Sequence, residues 1–254
     1  MNEFYEGSDR RWLFAFTHPD DEIAACALIR RLTESGAGVW CGWSVAPSFR
    51  EREARNSMIR LGVPQDNLFF LSFPDGDACE HLSELTQEWR SILEQISPTD
   101  LVVCAYECGH LDHDSTNFAV CTAAKGHKLR VYEYPLYHTY LTRSPILNRF
   151  ANPAEEAVLQ MSETEQKLKW EIARNYPSQN IASLLVWYTV AGWVGLRPAG
   201  LKLTERYRPM PAVDYLAPNL PYELHQRVLQ CDKWQRWCEC VRRALSLQQF
   251  EATN

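Results

Sequence analysis

The stretch Phe14-Ala-Phe-Thr-His-Pro-Asp-Asp-Glu22 joins an apolar run to a helical one, and this junction decides the fold. Residues 12–16 are apolar and aromatic, as in a buried strand of a parallel sheet. Proline lacks the N–H that a central strand needs, so the strand should end before Pro19. Residues 21–32 contain no glycine or proline and predict a helix with an acidic first turn. A buried strand that leads directly into a helix indicates an α/β protein.

The polar residues of this junction are candidates for a functional site. His18, Asp20, Asp21 and Glu22 follow the C-terminal end of the predicted strand, where open α/β sheets bind their ligands. Of two adjacent carboxylates, one can hold a metal ion while the other acts as a base. Alternatively, the carboxylates only favour the helix N-terminus and His18 is a structural residue. Both interpretations are compatible with this segment.

A second polar cluster, Glu107-Cys-Gly-His-Leu-Asp-His-Asp114, follows another apolar run at residues 101–106. It precedes a predicted helix at residues 115–124. Because the carboxyl ends of parallel strands lie at one edge of a sheet, we expect the two clusters to converge. One His and one Asp from the first cluster with one His from the second would form an open zinc site of the catalytic type.

Strand and helix patterns alternate along the chain, which predicts a Rossmann-like, mostly parallel sheet with helices on both faces. The remaining strands are expected at residues 39–45, 68–73 and 129–134, and the remaining helices at 50–61, 82–96, 162–175 and 221–249. Residues 139–160 read as a long loop near the site. No Gly-x-Gly-x-x-Gly follows the first strand, so a dinucleotide is not implied.

Composition limits the classes of partner. The chain has 254 residues and a net charge of −6 without a basic block, which argues against binding of nucleic acid or an anionic membrane surface. No apolar run is long enough to span a bilayer, and the polar N-terminus does not resemble a signal peptide. Several of the nine cysteines fall inside predicted strands or helices, so we expect free thiols and a cytoplasmic location.

The combination of His18-Pro-Asp-Asp-Glu22 with Gly109-His-Leu-Asp-His113 resembles the PIG-L/LmbE-like de-N-acetylases. Members of this family are zinc hydrolases that remove acetyl groups from amino sugars and related amides. The resemblance implies that His18, Asp21 and His113 bind the metal ion. It further implies that Asp20 is the general base and that His110 assists catalysis electrostatically.

Other segments extend the resemblance over residues 12–180. Arg50-Glu-Arg-Glu53 is similar to the second helix of the family, and Phe73-Pro-Asp-Gly76 to its substrate-side loop. These similarities make Arg50 and Asp75 candidates for substrate binding. From the residues alone, Arg50 could instead pair with Glu53 one helical turn away, and Asp75 could serve only the turn. The chain departs from the family pattern at Ile23-Ala-Ala25 and at Leu111, neither of which is an implied ligand.

The rest of the chain completes the expected organisation. Residues 1–254 are predicted to form a single domain, with a core at about 10–180 and a lid and helical extension at about 181–254. The aromatic segment at residues 184–193 could form a wall over the pocket or pack in the core. Glu205-Arg-Tyr-Arg208 could return charge to the rim of the site. A homo-oligomer is compatible with this organisation.

These observations lead to one expected function and two alternatives. The chain is expected to be a zinc-dependent N-deacetylase that acts on an N-acetylated sugar derivative, a small-molecule substrate. One alternative is a hydrolase of another acyl bond that uses the same metal site. The other is a sugar-binding protein that has kept the cleft without catalysis.

Overall fold

A seven-stranded sheet runs through the computed structural model, which describes residues 4–138, 148–179, 203–253 and the single positions 181, 183, 186 and 190. The strands are β1 (Arg11–Phe16), β2 (Gly38–Trp43), β3 (Leu68–Phe70), β4 (Asp100–Cys104), β5 (Arg130–Tyr134), β6 (Ala157–Gln160) and β7 (Thr204–Pro209). Their order across the sheet is β3-β2-β1-β4-β5-β7-β6. The first five are parallel, while β7 is antiparallel to both β5 and β6. The predicted α/β fold with a mostly parallel sheet is confirmed.

The α-helices in the described residues cover both faces of this sheet. They are α1 (Cys26–Glu34), α2 (Ser48–Leu61), α3 (Leu82–Ile96), α4 (Leu111–Ala123), α5 (Glu163–Arg174), α6 (Tyr222–Leu229) and α7 (Asp232–Thr253). Helix α1 contacts α2 and α5, whereas α3 contacts α4 and α7. Among the described residues, no helix combines the length and the apolar character that crossing a membrane would need.

The core forms on both faces of the central strand β1. Every residue from Trp12 to Phe16 is fully buried, as expected for a parallel strand with helices above and below it. Phe14 stacks on both Trp12 and Phe16. On the neighbouring strands Trp43 stacks on Phe70 with ring centroids 4.7 Å apart. This packing fixes the ends of β1 and β4, from which the polar loops emerge.

Several predicted bounds differ from the structure. The helix expected at residues 21–32 is divided into a 3₁₀ turn (Asp21–Ala24) and α1. Helix α4 begins at Leu111, four residues earlier than expected, so it contains the second cluster's last residues. The loop expected at residues 139–160 contains β6, and the helix expected at 221–249 is divided into α6 and α7. The aromatic residues Trp187, Tyr188 and Trp193 of the expected wall lie outside the described residues.

Glu205 does not bring charge to the rim, because its side chain is completely buried. Its carboxylate accepts hydrogen bonds from the backbone N–H groups of Ala27 and Leu28 at the start of α1, at 2.8 and 3.0 Å. It also lies 3.5 Å from the buried ammonium group of Lys169. A carboxylate at a helix N-terminus satisfies donors that the helix itself leaves unpaired. Strand β7 therefore holds α1 in place behind the first polar loop.

Candidate active site

The two polar clusters meet at one edge of the sheet, as their positions after β1 and β4 require. These strands are parallel neighbours, with Ala15 opposite Val103. His18 and Asp21 come from the loop after β1, and His113 comes from the first turn of α4. One ligand atom from each of these three residues lies within 4.8 Å of the other two. All three residues are buried, so the group could hold a metal ion.

The hydrogen bonds of Asp21 leave one of its oxygens available. Oδ2 accepts from the backbone N–H groups of Thr17 and His18, at 3.1 and 2.8 Å. Oδ1 lies 3.6 Å from Nε2 of His113, beyond a good hydrogen bond. The loop thus orients the carboxylate through Oδ2 and presents Oδ1 to the imidazoles.

A second group, His18, His110 and Asp112, meets the same distance criterion and shares His18 with the first. Asp112 is fully buried, and its oxygens already accept from the backbone N–H groups of Gly76 and Ala78, at 2.7 and 3.2 Å. Nδ1 of His110 accepts from the backbone N–H of Asp112 at 3.2 Å. Because these hydrogen bonds already use lone pairs of the Asp112 oxygens and of Nδ1 of His110, the group with Asp21 and His113 fits a metal ion better.

The imidazoles of His18 and His113 differ in protonation. Burial opposes a charge on His18, but hydrogen bonds to Asp112 and Asp75 outweigh it and raise the pKa of His18 to about 10. Burial and the proximity of His18 and His110 lower the pKa of His113 far below its usual range. His113 is therefore neutral at pH 7 with a lone pair to offer, whereas a metal ion would have to displace a proton from His18.

Asp20 lies in a strained backbone conformation beside the three buried residues. Its φ of 124° is in a region that residues with a side chain rarely adopt. Oδ1 accepts from Nη2 of Arg50 at 2.7 Å, and Arg50 also donates to the carbonyl of Pro19. Arg50 thus pairs with Asp20 and not with Glu53, whose carboxylate instead accepts from the hydroxyl of Ser178. Burial and repulsion from Asp21 raise the pKa of Asp20 well above its usual range.

The neighbouring Glu22 supports this strained loop from behind. It is fully buried and accepts hydrogen bonds from the backbone N–H of Asp20 and from the hydroxyl of Tyr176. Burial raises the pKa of Glu22 to about 7. Glu22 thus connects the loop after β1 to Tyr176, just after the end of α5, and helps to hold Asp20 in place.

Asp75 approaches the site from the loop after β3. Its Oδ1 lies 3.4 Å from Nε2 of His18, and its side chain is 62% exposed. The hydrogen bond to His18 lowers the pKa of Asp75 to about 2. An exposed carboxylate at the mouth of a buried polar group can meet a substrate directly. The structure therefore brings all seven residues singled out in the sequence to one edge of the sheet: His18, Asp20, Asp21, Arg50, Asp75, His110 and His113.

Two residues of the site were not predicted. Asp112 stands inside the motif between His110 and His113, but nothing local indicated that it binds the backbone of Gly76 and Ala78. Tyr137 follows β5, and its ring centroid lies 5.0 Å from that of His113. Strand β5 thus contributes to the same edge as β1, β3 and β4. Its position after an apolar strand was the available signal.

Comparisons with known proteins bear on the family and the fold of the chain. Residues 13–124 match the family model described as PIG-L, GlcNAc-PI de-N-acetylase. No curated protein sequence matches the chain significantly. Among solved structures, the deacetylase of the teicoplanin biosynthesis pathway is 18% identical, with a TM-score of 0.60 over 80% of this chain and 99% of that one. The A40926 pseudoaglycone deacetylase is 16% identical, with a TM-score of 0.60 over 81% and 99% of the two chains.

A third solved structure, the N,N'-diacetylchitobiose deacetylase from Pyrococcus horikoshii, is 18% identical, with a TM-score of 0.53 over 80% of this chain and 84% of that one. Likeness at these identities establishes the fold. The family resemblance seen in the two sequence motifs is confirmed by the match, which includes both of them. Residues 13–124 of this chain are a PIG-L family domain, within a fold shared with the LmbE-like deacetylases.

Proposed function

We propose that the chain is a zinc-dependent N-deacetylase that hydrolyses an N-acetyl or short N-acyl group of an amino sugar or glycoconjugate. The observation that carries this proposal is the buried group of His18, Asp21 and His113 with Asp20 beside it. The PIG-L domain supports it, as do the solved neighbours, whose names describe deacetylases of teicoplanin and of N,N'-diacetylchitobiose. We take residues 1–254 as one domain, and the nine free cysteines favour a reducing compartment such as the cytoplasm.

The donor set fits a catalytic zinc ion. Two imidazoles and one carboxylate are typical zinc ligands, and three protein ligands leave a position for water or substrate. Other divalent transition metals accept the same donors, so the choice of zinc follows from the family resemblance. When bound there, such an ion would polarise the acetyl carbonyl as a Lewis acid and make water a better nucleophile at neutral pH.

Asp20 is the residue best placed to act as the base. Only its Oδ1 accepts a side-chain hydrogen bond within the described residues, from Arg50, which leaves Oδ2 for a proton. Its raised pKa makes the carboxylate a stronger base than an ordinary Asp, as suits a group that must take up a proton and then return it. Asp20 would take the proton of the attacking water and then give it to the leaving amine.

His110 would stabilise the negative charge that develops on the acetyl oxygen. Burial lowers the pKa of His110, so the imidazole is neutral. Since Nδ1 accepts from the backbone of Asp112, the proton of the neutral ring resides on Nε2. His110 therefore offers one oriented N–H donor instead of a full positive charge. Oriented donors of this kind typically contribute about 10²-fold or more in rate.

Arg50 and Asp75 would contact the substrate at the mouth of the site. Asp75 is exposed and can accept hydrogen bonds from sugar hydroxyls. Arg50 is buried and already bound to Asp20, so its contribution to substrate binding is coupled to the orientation of the base. We therefore expect Asp75 to affect KM, and Arg50 to affect both KM and kcat.

The test combines metal analysis with an activity screen. Protein purified without chelators should contain one divalent ion per chain and release acetate from a member of a panel of N-acetylated sugars. A variant with both His18 and His113 replaced by Ala should lose the ion and the activity. Stoichiometric metal in that variant would contradict the ligand assignment.

The same screen separates the two alternatives. Release of acetate or another acid from esters or other acyl compounds, but not from N-acetylated sugars, would indicate a hydrolase of another acyl bond. Sugar binding in a titration, without release of acid from any member of the panel, would indicate a binding protein. Asp20→Asn is the matched control, because it should keep the metal ion while losing hydrolysis.

A further inference from the structure

Helix α7 contacts the loop that carries Asp75, here called the Asp75 loop and defined as residues 74–80. Arg236 on this helix donates from Nη2 to Oδ1 of Asp77 at 2.6 Å and from Nε to Oε1 of Glu80 at 2.9 Å. It also donates from Nη1 to the carbonyl of Gly76 at 3.4 Å. One guanidinium group thus connects three points of the loop, which only the forked geometry of arginine permits.

The Asp75 loop is exposed in its first half, whereas Ala78 and Cys79 near its end are buried. Residues 74–77 are exposed, and Gly76 adopts a positive φ of 84°. On the side of the active site, the backbone N–H groups of Gly76 and Ala78 donate to Asp112. An exposed segment such as residues 74–77 samples other conformations readily unless polar contacts hold it. The loop is therefore held between Asp112 on one side and Arg236 on the other.

Helix α7 provides a rigid base for this contact. Trp237, Cys240 and Val241 on its inner face are buried in an apolar cluster that also contains Cys79, which lies next to the loop's end. About two turns after Arg236, Arg243 on the same helix donates to Oε2 of Glu80 at 2.7 Å. Because the helix backbone is fixed by packing, Arg236 constrains the loop instead of moving with it.

We propose that Arg236 is a positioning residue for substrate binding, which it serves by holding Asp75 at the mouth of the active site. This inference rests on the proposed function, because the consequence of a misplaced Asp75 is a weaker complex with the substrate. Preorganisation of a loop increases affinity by reducing the entropy that is lost on binding. The helical extension beyond the PIG-L domain thereby acquires a role in recognition.

Hydrogen exchange of the full-length protein tests the structural part of this proposal without any substrate. In Arg236→Gln, exchange of the peptide that contains Gly76 and Ala78 should accelerate by about threefold to tenfold. The matched control is Arg242→Gln, which removes the same charge from the same helix. Arg242 is exposed and makes no hydrogen bond or ion pair with the described residues. Its replacement should leave exchange of the loop unchanged.

Steady-state kinetics test the functional part. Arg236→Gln should raise KM by about threefold to tenfold with kcat changed less than twofold, because a uniform loss of binding leaves the chemical step intact. Arg236→Lys keeps the charge but has its donors on a single nitrogen, so contacts with Asp77 and Glu80 should be weaker and KM should be intermediate. Asp77→Asn should raise KM as well, and the double variant Arg236→Gln/Asp77→Asn should add less than the sum of the two changes.

Two results would overturn the proposal. Unchanged exchange of the loop in Arg236→Gln would show that Arg236 is not needed to hold it. A normal KM in Arg236→Lys together with a raised KM in Arg242→Gln would assign the effect to general charge. If the wild-type protein releases no acetate from any substrate, the proposed function fails, whereas the exchange result still decides whether Arg236 holds the loop.

Discussion

Nη2 of Arg50 lies 2.7 Å from Oδ1 of Asp20 and joins the first turn of α2 to the strained loop after β1. The pair is almost fully buried, with 5% of the Arg50 side chain and 14% of the Asp20 side chain exposed. Burial raises the pKa of the Asp20 carboxyl group, and Arg50 opposes that increase. Arg50 thus sets the pH at which a base at this position is ionised.

Replacing Arg50 with Gln should move the rising limb of the kcat/KM profile to higher pH. Removal of the positive charge destabilises the ionised form of Asp20, so its pKa rises further and a larger fraction of the base is protonated at a given pH. We expect a shift of about one pH unit, which corresponds to roughly 1.4 kcal/mol. The measurement is the pH dependence of kcat/KM on an accepted N-acetylated sugar.

Arg50→Lys is the control for this shift. It retains the charge but offers fewer oriented donors than a guanidinium group. The rising limb of its kcat/KM profile should therefore lie between those of wild type and Arg50→Gln. Metal content should be the same in all three proteins. An unchanged limb in Arg50→Gln would mean that the base responsible for it is not Asp20.

The five parallel strands could be predicted from the sequence because each is rich in apolar or aromatic residues and is followed by a turn signal. Strands β6 and β7 could not, since Ala157–Gln160 is short and Thr204–Pro209 contains three charged residues. Their pairing is antiparallel and joins segments more than forty residues apart. Only the folded chain shows that Glu205 caps α1 and that Arg208 reaches Glu133 at the sheet edge.

At the site, residue types could be predicted better than contacts. The two motifs contain all the imidazoles and carboxylates of the candidate metal group because their chemistry is concentrated at strand ends. The pairing of Arg50 with Asp20 instead of Glu53 depends on how α2 packs across the sheet edge, which local spacing does not encode. The same is true of Asp112, whose partners Gly76 and Ala78 lie 36 and 34 residues earlier in the chain.

The buried pair of Glu205 and Lys169 should be important for stability. Glu205→Gln leaves the ammonium group of Lys169 buried without a counter-charge, and we expect a loss of about 3–5 kcal/mol in the free energy of unfolding. Adding Lys169→Met should recover part of the loss, because the uncompensated charge is gone. Glu34→Gln, which breaks the exposed pair with Arg30, should cost at most about 0.5 kcal/mol.

Urea unfolding of these variants provides the measurement. If Glu205→Gln/Lys169→Met is no more stable than Glu205→Gln, the loss comes from the cap on α1 and not from the buried charge. A loss in Glu205→Gln similar to that in Glu34→Gln would contradict both explanations.

Gly109 should tolerate no side chain, because an added Cβ would lie 1.9 Å from the carbonyl oxygen of Tyr137. This oxygen belongs to the backbone, so a side chain at position 109 fits only if the loop before His110 moves away from the loop that contains Tyr137. Gly109→Ala should cost several kcal/mol, comparable to severe overpacking at about 3 kcal/mol, and should reduce kcat/KM. The measurements are thermal unfolding and steady-state kinetics.

Gly126→Ala is the matched control for this change. Gly126 has a φ of 88° with nothing within 4 Å of an added Cβ, so it should lose only about 1 kcal/mol from backbone strain and keep its activity. Equal losses in the two variants would show that the loops around Gly109 can separate at little cost.

Asp20 and Asp21 are adjacent carboxylates with opposite surroundings, and their replacement by Asn should have different effects. Asp21 is held through Oδ2 by two backbone N–H groups and turns Oδ1 towards His113, so Asp21→Asn should weaken metal retention and lose activity with it. Asp20 is held by Arg50, so Asp20→Asn should keep the metal ion while kcat falls by about 10²-fold or more. Metal analysis and kinetics on the same preparations make the comparison.

The pH profile of kcat/KM shows which of the two carboxylates is the base. If Asp20 is the base, the rising limb that moves in Arg50→Gln should be absent from the residual activity of Asp20→Asn, because the group that titrates has been removed. A limb that persists unchanged in Asp20→Asn would belong to a group other than Asp20. Loss of the metal ion from Asp20→Asn, with metal and a wild-type pH profile in Asp21→Asn, would exchange the two roles. Arg50 would then orient a ligand, and the strained conformation of Asp20 would serve to place a carboxylate on the metal ion.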